Sequence, residues 1–419
     1  MTRQQAGADV ARRSGPWGLV MIGFLALAIS FSVRATFGLV IPSMERELHW
    51  SYSFISGVGA AALIIMAVAA PFAGRLIDRR GPRPLIVGGL FTVGLGAALL
   101  FATESKTVFV IGFGLVAALG FTALATNVVA AAISKQFSSG RGLATGIGTA
   151  GATAGQLLVV PVVALLMQTS SWRAGFLALS GASILLGVVA LIALPKDVTH
   201  GTDGTGSESR QSMMAGVAAL VRFPAFHLLF WSFLLCGFTT SGVVETHLLP
   251  YAAFCGFPPL PSATAYGILS AVNLGGMILS GVLSDRVHRP MLLAAIYLAR
   301  AGTFVMLIFI GSDIRLLYLF AVLFGLFDYS TIPVTAGLAI RHLGIHRIGL
   351  AMGLISSGHA LGGALGAFGG GVLFDVTGGY LWLWFVSFAL ALLAGLLVVF
   401  LEDNPARVDS AVDVVTSSK

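Results

Sequence analysis

Apolar residues in this chain come in long runs broken by short polar punctuation, not in the alternating or 3.6-residue patterns of a half-buried strand or helix. A helix needs about 20 apolar residues to cross a bilayer. Twelve stretches of that order predict spanning helices at 17–41, 53–74, 84–102, 107–134, 142–168, 173–194, 223–250, 263–284, 290–310, 314–340, 348–374 and 379–401. The first begins after a polar segment containing Arg12 and Arg13 and is too long for a signal h-region, so it predicts an uncleaved span. One long polar interval, 195–222, interrupts the series. Its Gly201-Thr-Asp-Gly-Thr-Gly-Ser-Glu-Ser run has the composition of a flexible linker. The expected organisation is a six-helix bundle over 1–194, a linker over 195–222, a second six-helix bundle over 223–401, and a tail over 402–419.

Composition narrows the class. Of 419 residues, 57% are hydrophobic and 10% charged, against about 45–50% and about 25% in soluble domains. That excludes a soluble enzyme, a nucleic-acid-binding domain, a disulfide-framed secreted module and a disordered tail protein. The 53 glycines suit helices packed closely in lipid, where small residues let backbones approach. The net charge of +7 reflects topology. Eighteen of the 24 Lys and Arg fall in the loops and ends on one side and four on the other. By the positive-inside rule both termini are expected in the cytoplasm of a plasma-membrane protein, with no nucleic-acid partner. The remaining two, Arg34 and Arg300, fall inside spans. Cys236 and Cys255 form no disulfide framework or metal spacing and read as packing residues.

The halves repeat each other. Gly74-Arg-Leu-Ile-Asp78-Arg79 after the second span matches Gly281-Val-Leu-Ser-Asp285-Arg286 after the eighth, at an offset of 207. Arg141-Gly-Leu-Ala-Thr-Gly opens the fifth span and Ile348-Gly-Leu-Ala-Met-Gly the eleventh, at the same offset. Two motifs sharing one offset mark a tandem duplication. Parallel six-span repeats belong to transporters whose site lies between the halves near the bilayer midplane. The predicted fold class is therefore an all-α membrane protein of twelve transmembrane helices in two pseudo-symmetric six-helix bundles.

The segment Gly74-Arg-Leu-Ile-Asp78-Arg79-Arg80-Gly81-Pro82-Arg83 resembles the signature loop of the major facilitator superfamily. Gly74 permits close helix contact, Asp78 can accept from a helix N-terminus, and the arginines can meet phosphates and carboxylates. Gly74, Asp78, Arg79, Arg141, Asp285 and Arg286 are accordingly expected to gate; the plainer reading is a basic loop of no special role. The segment Lys135-Gln-Phe-Ser-Ser-Gly-Arg141-Gly-Leu-Ala-Thr-Gly-Ile-Gly-Thr-Ala-Gly151 is similar to the fifth-helix signature of the monocarboxylate transporter family, shared more loosely with bacterial oxalate–formate antiporter relatives. Phe31-Ser-Val-Arg34-Ala-Thr-Phe resembles the stretch in which that family carries a first-helix lysine, with Arg34 in its place. In the eighth span the family carries an acidic or amide residue and, four positions on, an arginine that binds the substrate carboxylate. Here those positions hold Asn273 and Met277.

Ionisable groups at membrane depth are functional candidates because they are costly there. Arg34, with Ser30 and Gly38 on the same helix face, is expected to bind an anionic group, or alternatively to pair with Glu245 across the pseudo-two-fold axis. Glu245 is a candidate proton carrier or an acid in an outer vestibule, and His247 is expected at the membrane interface. Asp328 is a second candidate proton carrier, or a structural partner of Arg300. Asn127, Asn273, Tyr329 and His359 lie on spans that tend to line the cavity, and amides there can donate to a carboxylate. Pro161, Pro333 and the glycines of span eleven mark breaks or close contacts.

No phosphate loop or metal-ligand cluster is present, and His342 with His346 reads as a chance loop pair, so neither an enzyme activity nor a cofactor is expected. The expected function is secondary active transport of a small organic anion, above all a monocarboxylate, coupled to protons by alternating access. The alternative is a proton-driven exporter of drugs or other xenobiotics, favoured by Met277. A non-transporting sensor would need a tail or loop domain, and no polar segment is long enough for one. The expected partners are the substrate, protons and the lipid bilayer, with a monomer the simplest assembly.

Overall fold

A computed structural model of the chain describes residues 16–134, 136–137, 141–195, 209–343 and 348–402. Among these, twelve helices are long and apolar enough to span a membrane: α1 Trp17–Leu48, α2 Tyr52–Ala70, α3 Pro82–Ala102, α4 Lys106–Ala130, α5 Leu143–Thr169, α6 Trp172–Ala193, α7 Pro224–Phe254, α8 Pro259–Ser284, α9 Arg289–Phe309, α10 Ile314–Leu343, α11 Leu350–Thr377 and α12 Leu381–Val399. The helix begun by α2 continues to Arg80. Large apolar side chains such as Leu185, Ile192, Phe309 and Leu396 stand exposed on the outer surface, as a protein solvated by lipid requires. The chain is a multi-pass membrane protein.

Two boundaries differ from the sequence expectation. The linker contains a helix, Ser209–Leu220, and Leu220 is buried against Phe226 and Leu229 of α7. The Gly-Ser run at 201–208, the N-terminal arginines and the tail beyond Glu402 lie outside the described residues. Helix α7 runs past Pro250, which sits inside the helix, to Phe254. His247 is therefore not interfacial: it is fully buried, and its Nε2 donates to the Ala367 carbonyl of α11 at 2.9 Å.

Packing repeats in the two halves. Helix α1 packs on α5, and α7 on α11. At both crossings glycine lets backbones meet: a Cβ on Gly155 would overlap the Ala28 carbonyl, and one on Gly362 the Leu234 carbonyl. The halves join through α1 with α7, α2 with α11, and α5 with α8. We call the end of the bundle holding the α1–α2 loop distal, and the end holding the α2–α3 loop proximal.

Several spans are locally irregular. Helix α10 breaks between Ile314–Phe327 and Thr331–Leu343, and α4 between Ala118–Ala123 and Thr126–Ser134. π-helical turns occur over Val110–Ala117, Gly155–Val159 and Phe238–Val244. The turn in α5 ends two residues before Pro161, whose missing N–H removes a helical hydrogen bond there. Irregular backbone at membrane depth is tolerated only where protein or a cavity satisfies it, and the break in α10 meets that condition at the site.

Candidate functional site

A cavity of about 500 Å³, including space open to solvent, lies between the halves. Its walls include Arg34 and Phe37 of α1, Gly59, Leu63 and Met66 of α2, Phe113 and Phe121 of α4, Gln156 of α5, Ser241 and Glu245 of α7, and Tyr266 of α8. Arg34 Nη2 stands 2.9 Å from Glu245 Oε2, and the two side chains are only 21% and 18% exposed. Gly38 sets this approach. A Cβ there would lie 3.2 and 3.3 Å from the carbonyl oxygens of Thr246 and Glu245, so glycine brings α1 against α7 one turn from Arg34. The guanidinium also lies 5.0 Å from the Phe31 ring centre.

Behind this pair runs a continuous polar chain. The Tyr329 hydroxyl donates to Glu245 Oε1 at 3.0 Å, and the Tyr329 backbone N–H donates to Asn273 Oδ1 at 2.8 Å. Asn273 in turn donates from Nδ2 to Asp328 Oδ2 at 3.2 Å. Asp328 Oδ1 accepts from Thr240 at 3.0 Å and from Arg300 Nη2 at 3.2 Å, and Arg300 also donates to the Asp328 carbonyl oxygen. Arg300 is fully buried, and its Nη1 donates to Cys236 Sγ at 3.0 Å and to Thr240 at 2.9 Å. Asn273 and Arg300 thus satisfy the backbone that the break in α10 frees.

The structure therefore separates the candidate residues. Arg34 and Glu245 line the cavity. Tyr329, Asn273 and Asp328 form the layer behind it, and Asp328 is the partner of Arg300. His359 packs its ring 4.8 Å from that of Phe233, on the α7–α11 crossing. Asn127 lies on the helix Thr126–Ser134, and its side chain is outside the described residues. Gly74 and the side chains of Asp78, Arg79 and Arg141, on helices Tyr52–Arg80 and Arg141–Thr149, likewise lie outside the description. Asp285 caps the C-terminus of α8, exposed and 3.6 Å from Arg289, and Arg286 is exposed beside it. Cys236 does more than pack, since it ligates the guanidinium of Arg300.

Three positions at the cavity or the contact between the halves escaped the sequence reading. Gln156 crosses from α5 to α8, accepting from Ser270 at 2.5 Å and donating to the Tyr266 hydroxyl at 3.3 Å. Tyr266 lines the cavity beside it. At the distal end, Asp375 of α11 accepts the backbone N–H groups of Tyr52 and Ser53, at 3.0 and 2.8 Å, and so caps α2 from the other half. The Phe374 ring lies 4.0 Å from that of Tyr52 alongside. The signal for Asp375 was a carboxylate directly after the predicted end of span eleven, and its partners are main-chain donors. Among the described residues no group of three His, Cys, Asp or Glu side chains converges as a metal site.

Twelve spans in two similarly packed halves, with a polar cavity between them, define a membrane transporter. A sequence model of the Major Facilitator Superfamily matches residues 23–312 and 276–413, and the chain belongs to that superfamily. It is a transporter and not an enzyme. The chain is 26% identical to rat monocarboxylate transporter 13 over 369 residues, covering 87% of this chain and 84% of that one. It is 28% identical to human monocarboxylate transporter 11, covering 91% and 81%. An uncharacterized MFS-type transporter, YcxA of Bacillus subtilis, is 25% identical, covering 93% and 97%. Among solved structures a D-xylose–proton symporter superposes with a TM-score of 0.72 at 15% identity, covering 94% of this chain and 99% of that one. That likeness concerns the fold.

Proposed function

We propose that the chain moves a small monocarboxylate together with one proton across the plasma membrane, with both termini in the cytoplasm. The observation that carries this reading is the Arg34–Glu245 pair in the cavity between the halves. In the empty site the two charges neutralise each other. A carboxylate arriving at Arg34 would leave one cation facing two anions, a net negative charge in a poorly solvated cavity, which is costly. A proton on Glu245 restores neutrality and releases the guanidinium to make a charge-assisted hydrogen bond with the substrate. Each monoanion therefore travels with one proton. Tyr329 and Asn273 hold Glu245 in place through the network behind it, and Asp328 stays with Arg300.

The similarity to monocarboxylate transporters supports this reading, as does the parallel-repeat architecture, in which the site opens to either side by rocking of the halves. In this scheme the Asp375 cap on α2 closes the distal side, and the basic loops around Asp78 and Asp285 latch the proximal side. A single chain contains the whole site, so a monomer suffices.

The test is uptake of labelled monocarboxylates into proteoliposomes under an inward proton gradient. The reading expects uptake that a protonophore abolishes and that Arg34→Gln lowers on the order of a hundredfold, the scale of a lost charged contact. Uptake that ignores the gradient and survives Arg34→Gln would overturn it. Movement of lipophilic cations in place of acids would mark an exporter.

A further inference from the structure

We infer that the site selects monocarboxylates carrying a bulky apolar tail, above all an aromatic one, over short hydroxylated acids; this rests on the monocarboxylate reading above. The described lining of the cavity is charged at Arg34 and Glu245 and aromatic at Phe37, Phe113 and Phe121. Arg34 is the one cation among its described lining residues. Arg300 is sealed behind Asp328, and Met277, half-buried on α8, brings no charge. One carboxylate can thus be anchored. A second would stand near Glu245 with no counter-charge, which disfavours dicarboxylates.

The apolar part of the lining is built from rings. Phe37 and Phe113 stack with centres 4.0 Å apart and planes 15° from parallel, and Phe121 meets Phe113 edge-on at 5.7 Å. The π-helical turn Val110–Ala117 presents Phe113, and Met66 completes the wall from α2. Gly59 lets the Phe37 ring pack against α2, since a Cβ there would stand 3.0 Å from the ring. Aromatic walls favour a flat apolar group by area and by stacking.

Partners for a substrate hydroxyl are scarce in the same cavity. Gln156 is already committed to Ser270 and Tyr266 and the Thr246 hydroxyl donates to the Ser241 carbonyl, which leaves the Ser241 hydroxyl and the Tyr266 hydroxyl proton as the neutral partners among the described lining residues. A short hydroxy acid would leave its hydroxyl poorly paired and the ring-lined part unfilled.

The experiment compares initial rates for lactate, 3-phenylpropanoate, succinate and 2-phenylethylamine in proteoliposomes under an inward proton gradient. The expected kcat/KM for 3-phenylpropanoate exceeds that for lactate by about tenfold or more, the scale at which hydrophobic pockets discriminate, and succinate is no better than lactate. Phe113→Leu, which removes the stacking surface, and Met66→Phe, which fills the apolar part, should each cut the ratio at least about threefold. Phe113 is buried, so half-buried Met66 decides should Phe113→Leu fail to fold. Lactate equal to or better than 3-phenylpropanoate, or a ratio unmoved by Met66→Phe, overturns the inference and leaves the monocarboxylate reading standing. Movement of 2-phenylethylamine with no movement of any acid overturns the monocarboxylate reading itself, and this inference with it.

Discussion

Tyr329 hands its hydroxyl to Glu245 at 3.0 Å while the residue before it in the chain, Asp328, closes on Arg300 at 3.2 Å. One break in α10 therefore connects a solvent-reached ion pair to a sealed one. The two pairs sit in different surroundings. Arg34 and Glu245 are partly exposed and can exchange partners, whereas Arg300 and Asp328 are buried and hold the unwound turn together.

Removing one member of the buried pair leaves an uncompensated charge. Arg300→Met or Asp328→Asn should each destabilise the protein by roughly 3–5 kcal/mol. The double substitution Arg300→Met with Asp328→Asn should cost less than the sum of the two single losses. Thermal unfolding of the purified variants in one detergent, read as a double-mutant cycle, checks this. Additive losses would mean that the pair is not coupled.

Asp375 caps α2 only while the distal ends of α2 and α11 are together. Asp375→Ala removes a cap worth about 1 kcal/mol, roughly a fivefold change in a two-state population. In a chain with Cys236→Ser, which keeps an acceptor for Arg300, and Cys255→Ser, the thiol placed by the further substitution Ser241→Cys should then react about fivefold faster with a membrane-impermeant thiol reagent added from the distal side. An unchanged rate would show that the cap does not hold that end shut.

Glycines on α11 differ sharply in what surrounds them. A side chain at Gly362 would overlap the backbone of α7, whereas Gly353 has nothing within 4 Å. Gly362→Leu should abolish or severely lower the yield of folded protein. Gly353→Ala should raise the melting temperature slightly, because alanine is about 0.8–1 kcal/mol better than glycine in a helix. Size-exclusion profiles and melting curves of the two variants give the comparison.

Much of this was legible in the sequence because a bilayer enforces simple rules. Span number and span length follow from physics that acts on the chain locally, and the 207-residue offset matches the repeated packing of the two halves. The Arg300–Asp328 pairing was legible as well, since two opposite charges at equal depth seek each other. Asn273 was harder to place. Its amide looks the same whether it faces a cavity or holds the backbone of Tyr329, and only the break in α10 decides. Asp375 bonds to main-chain N–H groups of the other half, which no residue type betrays. Gln156 lies on the π-helical turn of α5, where the 3.6-residue period that assigns helix faces fails. His247 was set too near the surface because Pro250 reads as a helix end, while α7 carries it inside the helix.

The central claim is that Glu245 carries the proton that lets Arg34 take a carboxylate, and Glu245→Gln tests it most directly. With a neutral side chain at 245, Arg34 is free when the site is empty and neutralised when the substrate is bound. The account predicts that this variant exchanges labelled for unlabelled monocarboxylate across the membrane at a rate that no longer depends on pH. It also predicts that net uptake driven by a proton gradient is lost, because the empty carrier must return with an unpaired cation. Gradient-driven accumulation equal to that of the unaltered protein in Glu245→Gln would contradict it.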